Sequence, residues 1–360
     1  MPKLINSNSY IFPAEWEPHS AIWLAWPHDE ISFPGRIPKV EADVVKIICA
    51  IHQSEQVELL VLDTAMQARA SSILKDAGVD LFKITFRQVH YMDGWMRDCG
   101  GMFVRSSSSP LEGGVRGGNY TLVKWIFNQW GGKFPDLLPD DNLPYSIRDW
   151  LNLPLLEPQL VLEGGAIDVN GQGLCLTTEQ CLMNENRNLG KTKKAIEEYL
   201  AKYLGVKKTL WLYEGLVNDH TDGHIDELAR FVGPNKILCA YEDDPKDANY
   251  TILKNNYETL LDARNLENEP LEIVKLPMPH IYFKDSAVGL KEEAKAPASY
   301  TNFYIGNKVV LVSLYNDPND QTAMEIIQSC FPDRQAVGID CSDIIYGGGA
   351  IHCMTQQQPA

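Results

Sequence analysis

The sequence contains no CxxC pair, no GxGxxG after an early strand, and no apolar run approaching the roughly 20 residues that span a bilayer. The first absence argues against a zinc site or a redox dithiol, and the second disfavours a dinucleotide-binding sheet. The N-terminal segment also lacks a basic stretch followed by an apolar core, so no secretory signal is expected. We therefore expect no membrane partner, no metal or other cofactor, and a cytoplasmic location.

Basic side chains are scarce relative to acidic ones: 32 Lys and Arg residues against 48 Asp and Glu residues, for a net charge of −16. A field of this sign repels phosphate backbones and attracts cations, besides favouring solubility. We therefore expect no nucleic-acid partner and favour small cationic solutes. The eight cysteines are scattered through a chain of 360 residues. They are predicted to be reduced thiols, most of them buried as small apolar side chains.

One pattern recurs along the chain: an amphipathic helix, a short β-branched strand, and a turn rich in glycine and acidic residues. The predicted helices cover residues 64–78, 145–153, 192–205, 247–265 and 322–331. The strands that follow them are predicted at 81–89, 159–165, 209–215, 271–279 and 334–340. This alternation predicts an α/β fold, and the number of units fits a closed ring of βαβ modules whose acidic turns converge on one site.

No low-complexity linker divides the chain, so residues 1–360 are predicted to form a single domain. The segment SSSSPLEGGVRGG (106–118) is predicted to be a mobile loop within that domain, near the mouth of the site.

The C-terminal segment Tyr346-Gly-Gly-Gly-Ala-Ile-His-Cys353 is the most informative. Glycines permit positive φ and a close approach of the backbone to another segment or a ligand. A cysteine just beyond them could reach a substrate carbon, and a thiolate is a strong nucleophile. A cysteine taken alone is more often an inert buried side chain, so this segment leaves both interpretations open.

A second segment, from Asn218 to Glu227, reads NDHTDGHIDE and contains two histidines four residues apart. Such a pair could bind a metal from one face of a helix, but Asp222-Gly223 predicts a turn between them. We predict instead that His224 and Asp226 lie on a strand with their side chains on the same side. That arrangement would place an acid/base beside a carboxylate. A structural histidine near a turn is the alternative.

Two further turns place a carboxylate just before glycines: Trp95-Met-Arg-Asp98-Cys-Gly-Gly and Leu162-Glu163-Gly-Gly. A cysteine, a histidine and three carboxylates suit a guanidinium substrate, because this planar cation offers five N–H donors that carboxylates bind in pairs. Peptide hydrolysis needs one Cys–His pair and an oxyanion hole, and three carboxylates would oppose the oxyanion. The residues therefore favour guanidine chemistry over proteolysis.

Several segments together resemble the agmatine deiminase and bacterial-type peptidylarginine deiminase family: PAEWEPHSAIWLAWPHD, WMRDCGGMFV, FNQWGGKFP, LEGGAIDVNGQGLCLTTEQCL, NDHTDGHIDELARFV and GGGAIHCMTQQQPA. The resemblance runs in order from about residue 10 to the C-terminus. It implies the five-bladed α/β propeller of the guanidine-modifying (pentein) superfamily. One departure lies at Cys99-Gly-Gly-Met102, where Thr-Gly-Pro-Thr is more usual, and it bears on which guanidine is preferred.

The resemblance also implies roles for individual residues. Cys353 would attack the guanidinium carbon and form a covalent S-alkylthiouronium intermediate. His224 would protonate the departing ammonia and then activate water, with Glu163 orienting it.

The remaining implied roles concern binding. Asp98 and Asp226 would hold the guanidinium nitrogens, and Trp95 and Asn302 would contact the substrate. The implied reaction is hydrolysis of agmatine to N-carbamoylputrescine and ammonia, a step of putrescine and polyamine synthesis, with no cofactor.

Alternatives remain open within and outside this chemistry. Deimination of peptidyl-arginine would require an open cleft and a basic group that reads a carboxylate. Free or methylated arginine is a third substrate class. An amidinotransferase would pass the amidine to an amine, a binding protein would lack turnover, and a cysteine protease would ignore agmatine. A homo-oligomer is possible, and no segment identifies its interface.

Overall fold

Helices and strands alternate along the chain, which confirms the predicted mixed α/β fold. The computed structural model describes residues 10–106, 120–285, 287 and 290–360. The loop predicted at 106–118 lies, except for Ser106, outside these residues.

The strands of the described residues belong to five small sheets. In chain order they are β1 (Tyr10–Ile11), β2 (His19–Ala25), β3 (Gln56–Val61), β4 (Ile84–Gln88), β5 (Met102–Ser106), β6 (Tyr120–Val123), β7 (Leu155–Leu156), β8 (Ile167–Val169), β9 (Leu174–Thr178), β10 (Lys208–Leu212), β11 (Ala229–Gly233), β12 (Lys236–Tyr241), β13 (Glu272–Pro277), β14 (Tyr304–Ile305), β15 (Val309–Leu314), β16 (Gln335–Asp340) and β17 (Gln356–Pro359).

The helices range from single turns to 15 residues. In chain order they are α1 (Ile37–Ile51), α2 (Thr64–Asp76), α3 (Met96–Cys99), α4 (Gln129–Gly132), α5 (Leu143–Leu151), α6 (Glu179–Leu182), α7 (Glu185–Asn188), α8 (Lys193–Leu204), α9 (Tyr250–Asp262), α10 (Asp320–Cys330) and α11 (Ile351–Met354). The five helices predicted from periodicity correspond to α2, α5, α8, α9 and α10. Among the described residues, no helix is both long and apolar enough to cross a bilayer.

The five sheets share a construction. Three of them have the orders β8-β9-β10, β11-β12-β13 and β14-β15-β16, each an antiparallel pair extended by a parallel strand. The other two have the orders β1-β5-β6-β7 and β17-β2-β3-β4. Because a parallel neighbour needs a crossover, a helix precedes each parallel strand, as α9 precedes β13 and α10 precedes β16. This recurrence is the predicted helix–strand unit.

Helix α8 shows why these residues fold locally as predicted. Thr192 caps its first turn by accepting a hydrogen bond from the N–H of Ala195, and Gly205 ends it at a φ of 73°. Its buried side chains recur at four-residue intervals at Ile196, Leu200 and Leu204, so a single apolar stripe faces the core.

The strand predicted at 159–165 is wrong. Val161 makes only an isolated bridge with Ile126, and the flanking strands are β7, which ends at Leu156, and β8, which begins at Ile167. The side chain of Asn188 accepts from the N–H of Val161 and donates to its carbonyl, so an amide replaces the strand partner. Pro158, which has no N–H, precedes this stretch. The segment is therefore a connection without a strand, and it ends in a 3₁₀ turn over Gly164–Ala166.

Candidate active site

Five connections between sheets carry the predicted site residues. They are the links β4–β5, β7–β8, β10–β11, β13–β14 and β16–β17. Each link begins at an edge strand of one sheet and leads to the next sheet. Four of the links reach an edge strand there, and β4–β5 reaches β5, which lies beside the edge strand β1. In the same order they carry Asp98, Glu163, His224 with Asp226, Asn302, and Cys353. Segments that are distant in sequence thus supply one group of buried side chains.

Gly165 lies where three of these connections meet. A Cβ at this position would lie 2.6 Å from Nδ1 of His224, 2.9 Å from Oδ2 of Asp226 and 3.1 Å from Oδ1 of Asp98. The missing side chain therefore allows an acid/base and two carboxylates to approach one another.

Asp98 lies in the short helix α3 and faces the protein interior. Its Oδ1 accepts a hydrogen bond from the N–H of Gly165 at 2.9 Å, and its Oδ2 accepts one from Nε1 of Trp130 at 2.8 Å. These bonds fix the orientation of the carboxylate. Burial raises the pKa of Asp98, and the neighbouring His224 opposes that effect. A cation bound nearby would further stabilise its charged form.

Glu163 is fully buried. Its Oε1 accepts a hydrogen bond from Nε of Arg187 at 2.5 Å, and its Oε2 has no hydrogen-bond partner among the described residues. Polar atoms of Glu163, Cys181 and His224 lie within 4.8 Å of one another. Glu163 is therefore next to His224, as the predicted orienting role requires, while its direct partner is Arg187.

The prediction that His224 and Asp226 lie on a strand is wrong. His224 directly precedes a 3₁₀ turn over Ile225–Glu227. Asp222 and Gly223 have φ values of 65° and 86°, so the predicted turn is present and it prevents an extended strand. The two side chains nevertheless reach the same point, beside Gly165.

The environment of His224 favours its protonated form. Its Nδ1 lies 3.8 Å from Oδ2 of Asp98. Burial alone would lower the pKa of His224, but the charge of Asp98, with contributions from Cys181 and Glu163, raises it well above its usual value. These charges favour the imidazolium, which can donate a proton to a leaving group.

Asp226 presents its two oxygens differently. Oδ2 accepts a hydrogen bond from Nδ1 of His352 at 2.7 Å, and Oδ1 has no partner among the described residues. Burial would raise the pKa of Asp226, but the bond from His352 and the charges of His224 and Arg230 outweigh it and lower that pKa. Asp226 is therefore ionised at neutral pH, with one oxygen available to a donor.

Cys353 lies in helix α11 and is buried with its sulfur among polar groups. Nδ2 of Asn302 donates to Sγ at 3.2 Å, and Sγ lies 3.6 Å from Oδ2 of Asp226 and 4.0 Å from Oε1 of Glu227. Burial raises the pKa of Cys353 well above its usual value, and the charges of Asp226, Glu227 and Asp98 add to this effect. Without a cation nearby, the side chain is a neutral thiol.

Asn302 links Cys353 to its surroundings by hydrogen bonds. Its Oδ1 accepts hydrogen bonds from the N–H groups of His352 at 3.0 Å and Cys353 at 3.3 Å. Its Nδ2 donates to Oε1 of Glu227 at 2.8 Å as well as to the sulfur. Asn302 therefore contacts Cys353 directly, and the substrate contact predicted for Asn302 stays a prediction.

The glycine run before Cys353 is needed for a close approach to Trp95. A Cβ on Gly347 would lie 2.6 Å from Cζ2 of Trp95, and a Cβ on Gly349 would lie 2.9 Å from Cζ3 and 3.0 Å from Sγ of Cys353. Nε1 of Trp95 donates to Oδ2 of Asp93 at 2.7 Å, which holds the indole in place. Trp95 thus lies on the same glycine, Gly349, as the sulfur of Cys353.

Glu227 is a site residue that we did not predict. It is 3 % exposed, and its Oε2 has no partner among the described residues. Burial raises the pKa of Glu227 well above its usual value, with further contributions from Asp226 and Asp219. It is therefore a neutral carboxyl group beside Cys353. Its position directly after the DGHID motif was a signal that could have identified it.

Trp130, Arg187 and His352 were also missed as partners of the site. Trp130 stands in the quoted FNQWGG motif and His352 is adjacent to the nucleophile, so both were within reach of motif analysis. Arg187 has no such signal, because only the fold brings it to Glu163.

Two sets of side chains could also bind a divalent metal. Each set has three ligand atoms within 4.8 Å of one another: Glu163, Cys181 and His224 in one, and Asp226, Glu227 and Cys353 in the other. These donor types suit Zn²⁺. Arg187 already binds Glu163 and Asn302 already binds Glu227, so protein donors occupy part of each set.

Replacing Gly165 with alanine is expected to reduce kcat/KM about 10²-fold, because displacement of reacting groups by about 1 Å has effects of this size. The Cβ would displace His224, Asp226 or Asp98, and the backbone at Gly165 lies outside the left-handed region, so alanine is tolerated conformationally. Steady-state kinetics on the active guanidine substrate would measure this.

Gly233→Ala is the matched control, because a Cβ there meets only Lys236 at an ordinary 3.7 Å. It should retain wild-type kinetics. Unchanged kinetics in Gly165→Ala would show that these three groups do not act together.

Comparison with known proteins connects this chain to a family. The sequence profile described as Porphyromonas-type peptidyl-arginine deiminase matches residues 11–359. A Legionella pneumophila protein provisionally named agmatine deiminase is 34% identical over 352 residues, which cover 97% of this chain and 95% of the relative.

Two solved structures are also similar. The agmatine deiminase of Enterococcus faecalis has a TM-score of 0.87 and 32% identity, covering 100% of this chain and 98% of that chain. A substrate-bound cysteine-to-serine variant of the C. jejuni agmatine deiminase has a TM-score of 0.84 and 25% identity, covering 98% and 96%.

Proposed function

The chain belongs to the Porphyromonas-type peptidyl-arginine deiminase family, and from this premise we propose that it hydrolyses agmatine to N-carbamoylputrescine and ammonia. The observation that carries the proposal is a set of buried carboxyl groups, with Asp226 and Glu227 beside Cys353 and Glu163 beside His224. Oδ1 of Asp226, Oε2 of Glu227 and Oε2 of Glu163 have no hydrogen-bond partner among the described residues. A guanidinium supplies five N–H donors and a permanent positive charge, so it matches this group.

The burial of the site favours a small free guanidine over an arginine within a protein. Cys353 is 6% exposed, and the four acids are at most 7% exposed: Asp98, Glu163, Asp226 and Glu227. The neighbouring arginines already pair with carboxylates, as Arg97 does with Glu15 and Arg187 with Glu163. These arginines are therefore not available to bind the α-carboxylate of an arginine substrate. The relatives named agmatine deiminases support the same substrate.

In the first half-reaction, the bound cation makes the thiolate of Cys353 more favourable. The thiol releases its proton to water as the cation binds, and the thiolate attacks the guanidinium carbon. His224, as the imidazolium, protonates the departing amino group, and the C–N bond breaks to release ammonia. The product is an S-alkylthiouronium on Cys353.

In the second half-reaction, His224 is the neutral imidazole and accepts a proton from water as that water attacks the same carbon. The C–S bond then breaks, the hydroxyl proton of the adduct passes to the sulfur of Cys353, and the carbamoyl product leaves. Asp98 and Asp226 hold the remaining nitrogens through both steps, which keeps the carbon in line with the sulfur. Nδ2 of Asn302, which lies 3.2 Å from Sγ of Cys353, stabilises the thiolate by donating a hydrogen bond.

The order of the sheets supports a closed arrangement, a five-bladed α/β propeller formed by residues 1–360 as one domain. Successive connections lead from each sheet to the next, and β17 at the C-terminus pairs with β2 near the N-terminus. All eight cysteines are free, which supports a reducing, cytoplasmic location, where the product would enter putrescine synthesis.

The test is ammonia release by the purified protein without added metal, with four substrates: agmatine, free arginine, a peptide ending in arginine and a peptide with internal arginine. We expect turnover of agmatine and at most weak turnover of the others. Preference for either peptide would replace the proposal with peptidyl-arginine deimination. Transfer of the amidine to an added amine, without ammonia release from water, would indicate an amidinotransferase.

A further inference from the structure

His352, next to the nucleophile, lies between two buried carboxylates. Its Nδ1 is 2.7 Å from Oδ2 of Asp226, and its Nε2 is 2.8 Å from Oε1 of Glu15. The ring is 1% exposed. Glu15 lies in the connection between β1 and β2, so this contact joins the two ends of the described chain behind the site.

Glu15 is itself held by two arginines. Nη1 of Arg97 donates to Oε1 at 2.9 Å, and Nη2 of Arg230 donates to Oε2. Burial would raise the pKa of Glu15, but the charges of Arg230, Arg97 and His352 lower it well below its usual value. Glu15 is therefore a carboxylate that cannot easily be neutralised or displaced.

The hydrogen-bond chemistry of the row Glu15–His352–Asp226 determines its protons. An ionised carboxylate only accepts hydrogen bonds, so each ring nitrogen that faces one must donate. The ring then donates on both sides and carries a positive charge. It uses Oδ2 of Asp226 and leaves Oδ1 without a partner among the described residues.

We propose that Glu15 and His352 are positioning residues for substrate binding: Glu15 holds the His352 ring, and the ring holds Asp226 with Oδ1 presented to the substrate guanidinium. This inference rests on the proposed function, because it assigns Asp226 to guanidinium binding. Neither Glu15 nor His352 needs to contact the substrate. Glu15 and His352 affect substrate binding only through the position of Oδ1 of Asp226.

A purely structural role for Glu15 and His352 would change stability and substrate binding in a different way from a positioning role. If the row only stabilised the fold, variants would lose stability, and the surviving folded enzyme would bind substrate normally. If it positions Asp226, folded variants would bind the guanidinium weakly, and a side chain that restores a donor to Asp226 would restore binding. The two possibilities are therefore separable by affinity and by rescue.

The experiment compares His352→Leu, His352→Asn and Glu15→Gln for KM and kcat with agmatine. Leucine removes both donors, and we expect an increase in KM of about 10²-fold, larger than the decrease in kcat, as for loss of one partner of a buried charged pair. The asparagine amide can donate from about the position of Nδ1, so its KM should recover to within about tenfold of wild type. Glu15→Gln keeps the shape and loses the charge, and KM should rise about tenfold.

Glu41→Gln is the matched control. Glu41 is also a buried glutamate, bonded to Nε1 of Trp26 and to Arg69, and it belongs to helix α1. It should lower thermal stability as Glu15→Gln does, without changing KM. Equal KM values for the leucine and asparagine variants, or an unchanged KM in Glu15→Gln, would overturn the inference.

Binding of methylguanidine, followed by calorimetry on the same proteins, separates this inference from the proposed function. A wild type that hydrolyses none of the four substrates would refute the proposed function, and the affinities for methylguanidine would still test the row. Wild-type affinity in His352→Leu and Glu15→Gln would refute the inference alone. If the His352 variants do not fold, the KM and the methylguanidine affinity of the isosteric variant Glu15→Gln test the inference alone.

Discussion

Replacing Cys353 with alanine is expected to lower agmatine hydrolysis by about 10⁴-fold or more, because loss of a covalent nucleophile removes the chemical step itself. Binding should survive, because Asp98 and Asp226 remain to hold the cation. The measurements are ammonia release and calorimetric titration with agmatine. Cys239→Ala is the control: this thiol is buried in β12, and its removal should change stability without changing kcat. Wild-type turnover in the Cys353 variant would refute the mechanism.

The charge around Cys353 allows a second check on the same residue. Because burial and the acids raise the pKa of this thiol, it should react slowly at neutral pH with chloroacetamide, a neutral alkylating agent. Chloroacetamidine has the same shape with a cationic head, so the acids should bind it and promote the thiolate. Faster modification of Cys353 by the cationic reagent is the expected result, and equal rates would contradict it.

Replacing Asp226 with asparagine is expected to reduce kcat/KM about 10²–10³-fold, the range for removing one charge from a buried, hydrogen-bonded charged pair. The pKa of Asp226 is lowered, so the wild-type enzyme offers an ionised partner at neutral pH and loses it as the pH falls through that lowered pKa. Steady-state kinetics with agmatine measure the loss, which should appear mainly in KM.

Thiol reactivity distinguishes this result from misfolding. The charge of Asp226 raises the pKa of Cys353, so the asparagine variant should have a more acidic thiol that reacts faster with neutral chloroacetamide. A decrease in hydrolysis together with an increase in alkylation is not expected of a collapsed site. Asp333→Asn, on an exposed side chain, is the matched control and should change neither rate. Unchanged KM and kcat in Asp226→Asn would refute its assigned role.

Local chemistry explains why much of the fold was predictable. Helix α8 has its cap, its apolar period and its terminal glycine within a short stretch of sequence, and the structure agrees with the prediction closely. The stretch at 159–165 was less predictable, because the amide of Asn188 satisfies the backbone of Val161 in place of a strand. The apolar run itself does not indicate that Asn188 bonds its backbone, since Asn188 is 27 residues away from Val161.

The same distinction applies to the site. Residue type predicts the Asp222-Gly223 turn correctly. It does not predict the backbone conformation of His224 and Asp226, because a 3₁₀ turn follows where a strand is expected. Gly165 shows the opposite case. Its motif is visible in the sequence, but the three side chains that crowd it come from two other connections, β4–β5 and β10–β11.

The sequence by itself determined the helix and strand alternation, the glycine turns and the types of chemical group available for guanidine chemistry, because these depend on local conformational preference and side-chain chemistry. Only the tertiary structure decided which oxygen of Asp226 has no partner among the described residues, and that Glu15 lies behind the site. It also decided that burial raises the pKa of Cys353 and that neighbouring charges raise the pKa of His224. Burial and the charges of residues distant in sequence set those properties, and neither exists until the chain is folded.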